Sequence, residues 1–136
     1  MNFEQARTNM VLNQLRANRI KNSSLIEKIE LFPRENLYPK SYKHLAYSDK
    51  IIFLDDGRFI LPPLTSFHLL QALGEIDDES ILEIGSGFGT STSIINKFSS
   101  NIDCIESSMQ MTEVFKNSIK DGLFNASLLD LSLIHI

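Results

Sequence analysis

Apolar residues recur at helical spacing from Phe3 to Ile20, with Phe3, Ala6, Met10, Val11, Leu15 and Ala17 on one side. That spacing predicts one amphipathic helix. Asn22-Ser23 breaks it, and Ser24-Leu25-Ile26-Glu27 has the form of a capping box opening a second helix. Leu25, Ile29 and Phe32 share a face of that helix, and Pro33 ends it by disfavouring helical backbone in the residue before it. From Arg34 to Tyr47 the pattern loses its period and reads as an irregular connector with one helical turn. Ile51–Leu54 is a short strand candidate, followed by the turn Asp55-Asp56-Gly57-Arg58. Pro62-Pro63 suits the first turn of a third helix, lined by Phe67, Leu70 and Leu73 and stopped at Gly74. Residues Glu75 to Glu79 form an acidic loop. Beyond it the pattern becomes a buried strand at Ile81–Ile84, a helix from Thr90 to Phe98 and a second strand from Asn101 to Glu106. Ser107-Ser108-Met109-Gln110 then reads as a capping box for a helix carrying Met111, Val114, Phe115 and Ile119. A third strand begins within Asn125–Asp130. Such β-α-β-α-β alternation predicts an α/β fold, a parallel sheet covered by helices.

The chemistry concentrates where the first of these strands stops. Gly85, Gly87 and Gly89 make a turn of little steric bulk leading to a helix start. A dinucleotide fingerprint would put its last glycine at position 90, which is Thr90; here it comes one residue early. The run is Glu-x-Gly-x-Gly-x-Gly from Glu83. Glu106 ends the second strand 21 residues after Gly85, where a carboxylate can accept both hydroxyls of a ribose. Two plainer readings stand beside these. A glycine turn can join a strand to a helix with no ligand, and Glu106 can be a solvated acid leading the next helix.

Composition narrows the field. With 136 residues, 43% of them hydrophobic, the chain can bury a core. A net charge of −4 and dispersed Lys and Arg argue against nonspecific nucleic-acid binding. Cys104 lies in an apolar run and reads as a small buried hydrophobe. His44 and His68 are isolated, so no metal-ligand spacing and no Ser-His-Asp constellation emerges. The polar start Met1–Gln5 lacks the apolar segment of a secretory signal, and no stretch reaches membrane-spanning length. The expectation is a cytoplasmic protein.

Four segments in order carry a family resemblance: Met10 to Ile20, Phe32-Pro33-Arg34-Glu35-Asn36-Leu37-Tyr38-Pro39, Ala46-Tyr47-Ser48-Asp49, and Leu82-Glu83-Ile84-Gly85-Ser86-Gly87. Together they resemble the protein-L-isoaspartate O-methyltransferases. The resemblance implies a Rossmann-like class I methyltransferase fold preceded by an N-terminal helical region. It implies S-adenosylmethionine as cofactor, with the glycine turn under its methionine part, and Glu83, Gly85, Ser86, Gly87 and Gly89 forming the cofactor turn beside Glu106 on the ribose. It further implies methyl transfer to the carboxylate of isoaspartyl residues in a protein or peptide. Family members carry Ile-Ser-x-Pro ahead of the helix before the first sheet strand, with the serine at the active site. Here the segment is Ile60-Leu61-Pro62-Pro63, and Leu61 has no hydroxyl. A carboxylate is already ionised near neutral pH, so its methylation asks for positioning more than for a base. No catalytic residue is assigned. A noncatalytic cofactor-binding or regulatory module of the same fold, and a nicotinamide-dependent oxidoreductase, are the alternatives.

These readings divide the chain into a helical, substrate-side region at 1–61, a cofactor-binding Rossmann-like domain at 62–130 and a tail at 131–136. Only the first three strands of such a sheet are expected, which makes an inactive fragment the expected form and leaves the first strand as an exposed edge. The tail Leu131-Ser132-Leu133-Ile134-His135-Ile136 matches the translation of CTG-TCT-CTT-ATA-CAC-ATC, the end sequence of a transposase used in sequencing-library preparation. It is expected to be non-native.

Overall fold

The computed structural model describes residues 1–130, so the expectation for 131–136 lies outside the described residues. The chain forms two compact units, one from Met1 to Gly74 and one from Glu75 onward.

In the first unit the long helix expected from Phe3 to Ile20 is broken into three segments. Helix α1 spans Phe3–Asn9, its start capped by Asn2 Oδ1, which accepts from Gln5 N at 3.0 Å. The backbone then widens into a π-helical segment at Met10–Leu15 and tightens into a 3₁₀ turn at Arg16–Asn18. Arg19 turns left-handed at φ 72°, and Ile20 N bonds back to Leu15 O at 3.1 Å. This is a Schellman-type ending, with Leu15 and Ile20 both buried across it. Glycine usually marks that position, so an arginine there gave no stop signal. Ala17, expected inward, is exposed within the tightened turn.

Helix α2 covers Ser23–Leu31 and buries Leu25, Ile26 and Ile29. Its cap is Asn22, whose side chain accepts from Leu25 N, so the Ser24 capping box does not form. The Gln71 amide fastens the α1–α2 junction: its oxygen accepts from Lys21 N and Asn22 N at 2.8 and 3.0 Å, and its nitrogen donates to Arg19 O. Phe32 is extended before Pro33, as the proline requires.

The connector holds two 3₁₀ turns, Arg34–Leu37 and Lys43–Leu45, and it is not a solvated loop. Arg34, Glu35 and Tyr47 are buried. The Tyr47 hydroxyl donates to Glu35 and accepts from Arg7 Nε at 2.9 Å, while Arg7 also pairs with Glu35 at 3.5 Å. Strands β1 (Ile52–Phe53) and β2 (Phe59–Ile60) form an antiparallel hairpin with Ile52 and Ile60 inward. Helix α3, Pro63–Leu73, starts on Pro63 and buries Phe67 and Leu70; Leu73, expected inward, is exposed in its last turn.

The second unit is a parallel sheet in the order β3-β4-β5, from Ile81–Ile84, Ile102–Ile105 and Ser127–Leu128. Register pairs Ile81 with Ile102 and Glu83 with Cys104, so these four share one face. Leu82 and Ile84 point to the other face and are 56% and 75% exposed. The strand expected to be buried is therefore covered on one side only, and it forms a sheet edge. Helix α4 is a single turn, Thr92–Ile95, where a helix from Thr90 to Phe98 was expected. Serine and β-branched residues dominate that stretch, and both disfavour helix interiors. Helix α5, Met109–Lys120, starts from Ser108, whose hydroxyl accepts from Met111 N at 3.1 Å; the cap is one residue later than Ser107. Phe115 packs edge-on to Phe124 at 5.0 Å between ring centres.

Burial, and then the hydrogen bond to Glu35, push the Tyr47 phenol up to about 12. A phenol raised in the folded state stabilises below its unfolded value, and that contribution is lost as pH climbs from about 10 toward 12. Tyr47→Phe leaves Arg7 Nε and Glu35 short of a partner and should cost about 1–3 kcal/mol at neutral pH. Denaturant titrations of both proteins across alkaline pH should show the gap between them closing. A constant gap would contradict this account.

Candidate functional site

The site grows out of the end of β3. All three turn glycines adopt positive φ, at 79°, 59° and 90° for Gly85, Gly87 and Gly89. Gly85 N and Ser86 N both donate to Ile105 O, at 2.7 and 3.4 Å, so the turn folds over the end of β4. Gly89 N closes the turn on Ser86 O at 3.0 Å. A Cβ on Gly89 would lie 2.5 Å from the Phe124 ring, so packing demands glycine there whatever the turn binds. A Cβ on Gly87 would only touch Met111 at 3.7 Å.

Glu106 is 5% exposed, and its carboxylate joins two elements. Oε1 accepts from Gly87 N at 2.9 Å and Oε2 from Ser108 N at 2.7 Å. The glycine turn and the first residue of the α5 cap thus hang on one side chain. Ser86 is 4% exposed, and its hydroxyl finds no hydrogen-bond partner among the described residues. Buried hydroxyls are normally bonded, so this one marks a place where a polar group is wanted.

Glu83 lies under the sheet rather than over the turn. Its Oε1 accepts from the Thr92 hydroxyl and faces Cys104 Sγ at 3.9 Å. Burial raises its carboxyl above the usual range, Thr92 and Cys104 pull it back, and the Glu106 charge adds to the rise. Burial and the Glu83 charge push the Cys104 thiol up to about 12, which keeps it protonated and inert as a nucleophile. Sequence reasoning missed Thr92: it sits nine residues beyond Glu83, and no motif spacing links the two. It also missed a cleft of about 310 Å³ beside Glu106, lined in part by Met109, Thr112, Lys116, Leu128 and Asp130. Those positions come from two separated segments, α5 and the stretch from Leu128 to Asp130, and only folding brings them together. Among the described residues no cluster of His, Cys, Asp or Glu could hold a metal ion, and no helix is long and apolar enough to cross a membrane.

A glycine turn at the carboxyl end of a parallel strand, with an acid at the end of the next, is the nucleotide-binding half of a Rossmann-like methyltransferase fold. A solved structure named protein-L-isoaspartate O-methyltransferase superposes with a TM-score of 0.70 over 90% of this chain and 41% of its own, at 21% identity. The family model for protein-L-isoaspartate(D-aspartate) O-methyltransferase matches residues 6–129, and the chain belongs to that family. The protein-L-isoaspartate O-methyltransferase of Protochlamydia amoebophila (strain UWE25) is 27% identical over 116 residues, 85% of this chain and 55% of its own length. Protein-L-isoaspartate O-methyltransferase 2 of Anaeromyxobacter sp. (strain Fw109-5) is 33% identical over 68% of this chain and 38% of its own. The chain thus spans about half or less of the relatives it matches.

Two substitutions probe the turn. Gly89→Ala should destabilise by about 2 kcal/mol or more, since the ring of Phe124 must move and φ is unfavourable. Glu106→Gln turns an amide NH₂ toward Gly87 N or Ser108 N and should cost about 1–3 kcal/mol. Hydrogen exchange should speed up at one of those two amides in the Gln variant. Unchanged exchange at both would show that the carboxylate does not hold the turn.

Proposed function

We propose that this chain carries the cofactor side of an S-adenosylmethionine-dependent methyltransferase that methylates isoaspartyl carboxylates in damaged proteins. The observation behind the reading is the allotment of donors in the glycine turn. Gly85, Ser86, Gly87 and Gly89 all spend their N–H groups on the protein itself. A pyrophosphate needs such groups free, so the turn suits a ligand recognised by side chains and by close approach of backbone. That favours S-adenosylmethionine over a nicotinamide dinucleotide, in line with the family.

The residues present fit that cofactor. Glu106 stands at the end of β4 and borders the cleft, where its carboxylate would accept from a ribose diol. The unpaired Ser86 hydroxyl would take a polar group of the methionine part. Gly85 and Gly87 would let the ligand approach the backbone, and Gly89 lets the turn close. Glu83 would contribute charge from beneath. The cleft beside Glu106 has room for a flat heterocycle against Met109 and Leu128. Bound there, S-adenosylmethionine supplies a methyl group made electrophilic by its sulfonium. The acceptor carboxylate is ionised at neutral pH, so the protein's task is alignment and exclusion of water. Residues 1–61 would form the substrate side, and residues 62–130 the cofactor domain.

Leu61 in place of the family serine favours one second reading, a module that binds the cofactor and transfers nothing. Calorimetry on the intact gene product should give S-adenosylmethionine binding in the range of about 1–100 μM, typical of enzyme ligands. Labelled cofactor should then methylate an isoaspartyl peptide and leave its aspartyl isomer untouched. Binding without transfer selects the second reading, and tighter binding of NAD overturns both.

A further inference from the structure

The hairpin of β1 and β2 is apolar on both faces. Register pairs Ile52 with Ile60 and Phe53 with Phe59, and the two isoleucines turn into the first unit and are buried. The two-residue period of extended chain puts Ile51, Phe53, Phe59 and Leu61 on the opposite face. All four stand in water, 45%, 73%, 50% and 36% exposed. The two rings meet across the strands with 6.3 Å between their centres, and Leu61 is kept extended by the proline that follows it. A hairpin covered on one side usually carries polar residues on the other. Cross-strand ring contact steadies a hairpin, but threonine also suits strands and would leave nothing apolar in water. Together the four side chains present on the order of 400 Å² of apolar surface, in the size range of patches that mark binding sites on monomers.

We propose that this outer face is the docking surface for large apolar side chains flanking the acceptor carboxylate in an extended segment of an unfolded protein. The inference rests on the proposed function above and names which sites within that substrate class are chosen. Leu61 ties the patch to the acceptor, because it stands at the position where the family carries its active-site serine. Other occupants fit less well. A stable pair of copies would bury about 800 Å² on each partner, roughly twice what the patch offers. An anionic bilayer is disfavoured by Asp49, Asp55 and Asp56, which outnumber Lys50 and Arg58 around the hairpin. A small molecule needs a concave site, and one face of a two-stranded hairpin is an open surface. A peptide segment needs only a few side-chain contacts, and large apolar side chains are what a segment exposes when it leaves a protein core.

The test uses the intact gene product and two isoaspartyl peptides of equal length, one with Phe and Leu beside the isoaspartyl residue and one with Ser and Gly there. Peptide binding is read by fluorescence anisotropy and methyl transfer with labelled S-adenosylmethionine. The apolar peptide should bind about 10- to 100-fold more tightly, the gain from burying one or two large side chains. In turnover that gain should appear in KM and not in kcat. In Phe53→Thr/Phe59→Thr, whose new residues suit a strand, the ratio between the peptides should fall to near one. Phe53→Thr alone, at the most exposed position, should lower it part of the way, and Phe53→Tyr/Phe59→Tyr, which keeps both rings, should preserve it. Leu69→Thr removes an apolar side chain that is 60% exposed outside the hairpin and should preserve it too; loss of the ratio there would mean nonspecific adhesion and overturn the proposal. Equal binding of the two peptides by the wild type overturns it. So does a ratio unchanged in the double threonine variant, and a lowered melting temperature in that case assigns the patch to a contact within the gene product. Binding with the expected ratio but no transfer keeps the docking surface and overturns the methyltransferase reading, whereas transfer without the ratio does the reverse.

Discussion

The bidentate grip of Glu106 on Gly87 N and Ser108 N is the interaction on which the second unit depends. It satisfies a donor in a turn that no regular secondary structure can reach, and another at the mouth of α5. One carboxylate at the end of β4 thereby sets both the height of the glycine turn over the sheet and the angle at which α5 leaves. Charge-assisted bonds to backbone amides are among the stronger ones a protein makes. The same side chain borders the cleft, so whatever fills that cleft meets a carboxylate already aimed.

The first unit solves its own polar problem differently. Arg7, Glu35 and Tyr47 satisfy one another across three segments far apart in sequence. Arg34 is 4% exposed; its Nε donates to the Ala46 carbonyl at 2.8 Å, and the guanidinium lies over the rings of Tyr38 and Phe67 at 5.7 and 5.8 Å. Aromatic faces can hold a desolvated guanidinium where a lysine would fare worse, because the planar group stacks and is less tightly hydrated. Buried charge held in this way ties an otherwise aperiodic connector to α1 and α3.

What could be read in advance follows from how local each signal was. Pro33, Pro63 and the turn glycines act on their own backbone, and the breaks they predicted are where the chain breaks. The parallel strands were legible because apolar runs punctuated by turns are local too. Arg19 in a left-handed conformation was illegible, since its φ is imposed by the packing of Leu15 against Ile20. Both helix caps slipped for a related reason: Asn22 and Ser108 won because their backbones are extended and Gln71 and Glu106 fix the residues around them. The buried roles of Arg34 and Glu35 were hidden because charged residues in an aperiodic stretch look solvated until their partners, in other segments, are known.

The three glycines of the turn, alike in sequence, do different physical work. Gly89 is required by the Phe124 ring, whereas Gly87 is favoured by its backbone angle alone, since a Cβ there would make only ordinary contact with Met111; neither preference involves a ligand. With the N–H groups of Gly85, Ser86, Gly87 and Gly89 taken up by Ile105, Glu106 and Ser86, the turn is preorganised by the protein itself. Recognition then passes to the side chains around it: the Ser86 hydroxyl, which has no hydrogen-bond partner among the described residues, and the Glu106 carboxylate beside the cleft. A phosphate-binding loop keeps its backbone donors for the ligand, and glycine spacing alone therefore says less about the ligand than the side chains set between and beside the glycines.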